Sequence, residues 1–407
     1  MSQGNDIAAD RPAVDLTSLR GSNQSGMRAY NERLVLSLVR RDGALAKSDI
    51  ARITGLSAQT VSVIMRGLEA DGLLLRGEPI RGRIGQPSVP MSLAGDGAFF
   101  YGLKIGRRSV DLVLINLLGQ PVGFRRQTYR YPTPDTVIRF VEDALPALSD
   151  LLAPEMRGRI GGMGIAMPFQ LWSWAQYIEA PAGGLDSWRN RDVAAELSAL
   201  CDMPVYVQND ATAACGAELV FGKGDRPQDF LYFYIAFFIG GGLVLNGRLF
   251  TGKTGNAAGV ASMPVPGPGG VMHQLMAVAS LSTLTDAMTE AGEVSDAIYE
   301  HPDGWIVSPD LLEGWIQTAA KGLASAALSA ATLVEIDTVM IDGWLSPAIR
   351  TRLVEATGAA LRKLDLSGVT PPAIREGTVG PQARELGGAV IPLSQRFLVD
   401  QSAMLKS

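Results

Sequence analysis

The sequence predicts an N-terminal winged helix–turn–helix, mainly α-helical, followed by a two-lobed α/β body. Two tightly spaced helices followed by a short hairpin favour the first unit. A strand meander followed by helix–strand units, occurring twice, favours the second. The length of 407 residues also agrees with two or three units rather than one domain.

The composition indicates a protein that fills a sizeable core without crossing a membrane. Apolar residues make up 47% and charged residues 19% of the chain, which excludes a disordered chain or a coiled coil. The first residues are polar and no apolar run is long enough for a bilayer, so we expect a cytoplasmic location. The sequence contains only two cysteines and two histidines, too few for a disulfide framework or a cysteine-based zinc site.

The first unit begins after a polar segment. Residues 1–26 are rich in Ser, Asn, Gly and Asp, and we expect them to form a loose arm before a DNA-binding domain over residues 27–94. A first helix with one apolar face ends near Gly43, and a short second helix ends at Gly55. Ser57 can then cap a third helix through its hydroxyl oxygen.

The third helix is followed by a predicted wing. Leu73–Leu75 and Ser88–Leu93 are short strands on either side of the turn-rich segment Gly82–Pro87. Polar side chains at the start of the third helix can reach base edges and phosphates in a major groove. The candidate DNA-contacting residues are Ser48, Ser57, Ala58, Gln59, Thr60, Ser62, Arg66, Arg83 and Gln86.

Charge supports DNA as the partner of this unit. Residues 28–90 hold ten Lys/Arg and six Asp/Glu, a net charge of +4, in a chain of net charge −5. A basic segment on an acidic protein suits a local electrostatic contact with phosphates. The alternative is a small helical domain that binds another protein through a solvated polar face.

The body is predicted in two similar halves. We expect a first lobe over residues 95–220, a second over 221–385, and a C-terminal helix over 386–407 that returns to the first lobe. Each lobe opens with antiparallel strands and continues with helices and further strands. In the second lobe the sequence predicts a strand over 231–239 that turns at Gly240–Gly242.

Several segments together resemble the repressors of the ROK family. They are Asn23–Gln24, Asn31–Arg33, Thr54–Ser57, Gly82–Pro87, Gly162–Pro168, Val205–Ala211 with Glu218, and Pro392–Phe397. The resemblance covers nearly the whole chain. It implies a winged helix joined to a body of the actin-like sugar-kinase fold, which in the family's regulators senses a sugar, a sugar phosphate or a partner protein.

The same resemblance implies that kinase activity is lost. Family kinases have an Asp-x-Gly-x-Thr turn where this chain has Lys104–Arg108, so a carboxylate on the Mg²⁺ side is replaced by a lysine. Their second phosphate turn is glycine-rich, whereas Ala236–Gly240 places the bulky Phe238 there. Their third turn starts Gly-Gly, and here it starts at Asp342. We therefore expect no phosphoryl transfer and no catalytic residue or cofactor.

A ligand site is predicted where Asn209 and Asp210 match the family's sugar-binding segment. An Asn–Asp pair suits two vicinal hydroxyls, although the same residues can simply cap the following helix. Trp188 offers an apolar face for a sugar ring, or packs in the core. The family's zinc motif is eroded to Gly259 and Ser262, so we expect no metal.

Three functions remain open on the sequence. The chain is a sequence-specific transcriptional regulator, a sugar kinase with an accessory N-terminal domain, or a scaffold that recruits another protein. For the regulator, the partners are a double-stranded DNA operator and a sugar or sugar-phosphate effector. We also expect a homodimer or homotetramer, because paired half-sites need paired reading heads.

Overall fold

The computed structural model describes residues 23–80, 88–172, 180–181, 183–225 and 227–399. These residues divide into two compact units. The first contains the chain up to Leu93 together with Phe397–Val399, and the second contains Ala94–Arg396. Within this described part, no helix has both the length and the apolar character that a bilayer crossing requires.

The first unit is a three-helix bundle with a two-stranded sheet. Its elements are α1 (Asn23–Asp42), α2 (Lys47–Thr54), α3 (Ala58–Ala70), β1 (Leu74–Arg76) and β2 (Met91–Leu93). The two strands are antiparallel. The helix α1 begins at Asn23. The expected loose arm over residues 1–26 is therefore wrong for residues 23–26, which are helical.

Local chemistry defines the turn between α2 and α3. Gly55 ends α2 with a φ of 71°, a left-handed conformation that favours glycine. The Ser57 hydroxyl accepts a hydrogen bond from the Thr60 amide at 3.1 Å, which confirms the predicted cap of α3. Val61, Ile64 and Leu68 of α3 are buried, as their helical spacing predicts.

The second unit contains the remaining elements. The first half comprises β3 (Phe99–Ile105), β4 (Ser109–Asn116), β5 (Pro121–Thr128), α4 (Pro134–Ser149), α5 (Pro154–Arg157), β6 (Ile160–Met167), α6 (Val193–Cys201), β7 (Val205–Asn209) and α7 (Asp210–Phe221). The second half comprises β8 (Phe230–Ile235), β9 (Gly240–Leu245), β10 (Arg248–Phe250), β11 (Pro264–Pro266), β12 (Met272–Gln274), α8 (Met276–Ala279), α9 (Leu281–Glu290), α10 (Pro309–Val334), β13 (Thr338–Gly343), α11 (Pro347–Leu361), β14 (Ala373–Glu376) and α12 (Ala383–Phe397).

The two halves share one sheet topology. The strand orders are β5-β4-β3-β6-β7 and β10-β9-β8-β13-β14. In each sheet the first three strands of the half pair antiparallel, and the two later strands join in parallel. Each sheet has its own apolar core cluster. The predicted duplicated α/β body is therefore confirmed.

The predicted turn at Gly240–Gly242 was wrong, because these glycines open the strand β9. The chain reverses direction earlier, between the end of β8 at Ile235 and the start of β9 at Gly240. Glycine is required in β9 because α7 lies directly on it. A Cβ atom at Gly242 would stand 2.3 Å from the Cβ atom of Cys215, and one at Gly240 would stand 2.5 Å from that of Ala211.

Close packing also fixes α12 against the first sheet. A Cβ atom at Gly102 of β3 would lie 2.0 Å from the carbonyl oxygen of Glu385. At Gly164 of β6, it would lie 1.9 Å from the carbonyl oxygen of Gly388. These contacts place the start of α12, and with it Arg384, beside the first-half strands.

Candidate functional site

The start of α3 offers an exposed polar surface in the first unit. Ser57, Ala58, Gln59 and Thr60 are all exposed. The Thr60 hydroxyl lies 2.8 Å from that of Ser57, so these two hydroxyls hydrogen-bond to each other within the cap. The side chain of Gln59 is the largest polar group on this turn and is the best suited to a base edge.

Two cations, Lys47 and Arg66, lie next to this surface, and both contact Ser62. The exposed Arg66 donates from Nε to the Ser62 carbonyl oxygen at 3.2 Å. Lys47, at the first position of α2, donates from Nζ to the Ser62 hydroxyl at 3.3 Å. The sequence-based prediction missed Lys47, although a lysine opening the second helix of a helix–turn–helix was a visible signal. Ser48 is exposed next to it, whereas Arg83 and Gln86 lie outside the described residues.

The second unit holds a cleft lined by residues of both halves, and Asn209 and Asp210 lie near it where β7 ends and α7 begins. The Asn209 Oδ1 atom accepts hydrogen bonds from the amides of Ala211 at 3.1 Å and Thr212 at 3.2 Å. Asn209 is therefore the N-cap of α7, which agrees with the interpretation of Asn209 as a helix cap. Arg384 donates from Nη1 to Asp210 Oδ2 at 3.4 Å.

Three charged side chains lie side by side on β3, β4 and β5. The strand register sets Lys104 directly opposite Asp111, and Asp111 opposite Arg126. The Asp111 carboxylate accepts from Lys104 at 2.6 Å and from Arg126 at 2.9 Å, and Asp111 is only 1% exposed. Burial alone would raise the pKa of Asp111, but the positive charges of Lys104 and Arg126 lower it below its usual value.

Aromatic side chains, those of Phe237 and Phe238, follow the end of β8. The guanidinium carbon of Arg107 lies 4.3 Å from the ring centre of Phe238 and 5.4 Å from that of Phe237. Across the same cleft, the guanidinium of Arg126 lies 5.2 Å from the ring centre of Trp344. Burial lowers the pKa of Arg107 to about 10, so this side chain stays charged at neutral pH.

The space left between these groups is a small cavity, which we call the basic pocket. Its volume is about 60 Å³. The lining residues are Lys104, Gly106, Arg107, Arg108, Ser109, Arg126, Ala236, Phe237, Tyr299, Trp344 and Arg384. Five of these are cations and none is a carboxylate. Sequence reasoning treated Lys104 and Arg107 only as lost kinase residues and did not find Arg126 or Arg384.

The remaining predicted ligand residues lie elsewhere. Trp188 is 6% exposed, belongs to the core of the first half, and donates its indole N–H to the Pro132 carbonyl oxygen at 3.0 Å. It also borders a wider groove of about 430 Å³. Gly259 and Ser262 lie at a short 3-10 turn, and the described residues contain no cluster of three metal-ligating side chains.

Comparison with known families agrees with both units. A family described as winged helix-turn-helix DNA-binding matches residues 28–74, and the ROK family matches residues 100–272. A solved ROK family transcriptional regulator, a homologue of the E. coli MLC protein, superposes with a TM-score of 0.67 at 20% identity. That superposition covers 91% of this chain and 96% of the other, which supports the shared fold.

Sequence relatives are distant. An uncharacterised protein, y4fQ, of Sinorhizobium fredii is 25% identical over 91% of this chain and 92% of its own length. The protein named xylose repressor of Bacillus subtilis is 20% identical over 60% of this chain. The match spans 62% of that repressor, which is less than two thirds of its length.

The fold and the N-terminal unit define the class of protein. Its members combine a winged helix–turn–helix with a duplicated, kinase-like α/β body. The body of the chain is similar to the ROK family over residues 100–272, and its N-terminal unit matches a winged helix-turn-helix DNA-binding family over residues 28–74.

Proposed function

We propose that this protein is a DNA-binding transcriptional repressor whose body binds a sugar-related effector without catalysing phosphoryl transfer. The observation that carries the proposal is the exposed, capped start of α3, which has Lys47 and Arg66 beside it. Such an arrangement suits a base-reading edge with flanking phosphate contacts. A site of action in the cytoplasm and a homodimer or homotetramer belong to the same proposal.

The cleft supports the non-catalytic part of the proposal. A kinase needs a carboxylate near the Mg²⁺ and close backbone contact with phosphates. Here Lys104 is paired with Asp111 at 2.6 Å, and Arg107 stacks on Phe238 in the segment that resembles a phosphate turn. The competing proposal, a sugar kinase, has Asp210 in its favour. In this structure, however, that carboxylate is engaged by Arg384.

The effector part is supported by the neighbourhood of Asp210. Asp210 does not line the basic pocket itself but accepts a hydrogen bond from Arg384, which lines that pocket. Distant relatives, 20% identical, carry the name xylose repressor. We expect Asp210→Ala to abolish the response to the effector. DNA binding should remain, because the winged helix has its own buried core.

The test is a selection of genomic DNA fragments with the purified full-length protein, followed by titration of the selected sequence. A specific site should bind about 10³-fold or more tightly than random DNA. Failure to enrich any sequence, together with salt-independent binding, would contradict a regulatory role and favour a scaffold. A thermal-shift screen of sugars and sugar phosphates against wild type and Asp210→Ala then tests the effector.

A further inference from the structure

The third helix exposes one large apolar side chain on its polar face. Of the five large apolar residues of α3, four are buried, namely Val61, Ile64, Met65 and Leu68. The fifth, Val63, is 48% exposed. Neither core packing nor helix propensity favours a valine at this position, because the side chain is not buried and a β-branched residue loses rotamer freedom in a helix.

The position of Val63 on α3 connects it with the predicted reading surface. Gln59 precedes it by four residues and Arg66 follows it by three, and side chains at these spacings lie on the same face of a helix. All three residues are exposed. This face of α3 therefore carries, in order, an amide, an isopropyl group and a guanidinium group.

The chemistry of this face suits A·T base pairs in a major groove. Adenine presents N7 and the N6 amino group there, which match the amide of Gln59, and thymine alone presents a C5-methyl group, which matches an apolar side chain. A single isopropyl group buries too little area to hold another protein, because a specific protein interface buries about 800 Å² on each partner. The flanking cations Lys47 and Arg66 also favour a phosphate-bearing partner.

We propose that Val63 contacts the C5-methyl group of a thymine and thereby sets part of the sequence preference of the DNA site. The rise of an α-helix places Val63 about 6 Å beyond Gln59 along the helix axis, which corresponds to about two base pairs at about 3.4 Å each. The thymine therefore lies within about two base pairs of the pair that Gln59 contacts. The inference rests on the proposed function and names a base contact that the polar residues of α3 do not supply.

The experiment removes the methyl group from the DNA and the isopropyl group from the protein. The full-length protein first selects its preferred duplex, and each thymine of that duplex is then replaced in turn by deoxyuridine, which lacks only the C5-methyl group. At one thymine of each half-site, the replacement should weaken wild-type binding about three- to fivefold, the loss expected for one buried methyl group. The same replacement should leave the affinity of Val63→Ala unchanged.

The coupling between the two changes, rather than either loss alone, measures the contact. Val63→Ala should not disturb the folding of α3, because the position is exposed and alanine is a better helix former than valine. The matched control is Val294→Ala, the same substitution at a valine of the second unit that is 78% exposed. This control should retain the wild-type response to deoxyuridine.

Two results would overturn the assignment of Val63 while leaving the proposed function intact. In the first, the selected duplex tolerates deoxyuridine at every thymine. In the second, a replacement weakens the wild type and Val63→Ala equally, because another side chain then contacts that methyl group. Failure to select any DNA sequence is a different result, since it removes the proposed function and the role of Val63 with it.

Discussion

Lys104, Asp111 and Arg126 form a ladder of ion pairs across β3, β4 and β5. We predict that Asp111→Asn destabilises the body. Lys104 and Asp111 have side chains that are 5% and 1% exposed, so the lost carboxylate leaves a buried ammonium without its counter-charge. Removing one member of a buried pair costs about 3–5 kcal/mol, whereas an exposed pair contributes about 0.2–1 kcal/mol. We expect the free energy of unfolding of the body to fall by the larger amount.

Urea unfolding followed by tryptophan fluorescence measures this change selectively. All six tryptophans lie between residues 172 and 344, so none reports on the winged helix. The matched surface control is Glu313→Gln, which removes a pair with Arg352 whose side chains are 52% and 45% exposed. This control should change the free energy of unfolding by about 1 kcal/mol or less.

A double variant identifies the cause of the loss. Lys104→Met in the Asp111→Asn background removes the uncompensated charge, so we expect it to recover part of the lost stability. If Asp111→Asn changes the free energy of unfolding no more than Glu313→Gln does, the ladder is not a buried ionic network and the reasoning fails. Failure of the double variant to recover stability would show that Arg126 is the partner that matters.

The remaining predictions concern the cap, the reading surface and the chemistry of the cleft. Ser57→Ala should destabilise the first turn of α3 by about 0.5–2 kcal/mol, seen as faster hydrogen exchange of the Thr60 amide; unchanged exchange would contradict the cap. Gln59→Ala should cost about 1–3 kcal/mol at the preferred DNA site and relax its sequence preference, and an unchanged preference would remove Gln59 from the reading surface. The purified protein should neither phosphorylate glucose, mannose or N-acetyl sugars with ATP and Mg²⁺ nor contain stoichiometric zinc; turnover that Asp210→Asn abolishes would refute the non-catalytic assignment.

Local signals explain why most of the fold was predictable. The glycine at residue 55 and the serine at residue 57 act within one helical turn, so the sequence alone specifies the α2–α3 junction. The failure at Gly240–Gly242 has a different cause. Glycine is required there because Ala211 and Cys215 of α7 pack closely against β9. No local sequence pattern reveals this contact.

The cleft was only partly predictable for the same reason. The ladder of Lys104, Asp111 and Arg126 follows from the register of consecutive antiparallel strands, so careful strand alignment would have found it. Arg384 reaches Asp210 from α12, across 174 positions of sequence. Its place in the basic pocket depends on tertiary packing of α12 on Gly102 and Gly164, which the sequence pattern does not encode locally.

The most direct test of the central claim is the salt dependence of DNA binding by the wild type and by Arg66→Ala. Wild-type affinity for the selected site should fall steeply as salt rises, with each phosphate contact contributing about 0.9 to the slope of log affinity against log salt. Arg66→Ala should reduce that slope by about 1 and weaken all DNA sequences alike. A wild-type protein that binds the selected and random sequences equally at every salt concentration would contradict a role in sequence-specific DNA binding.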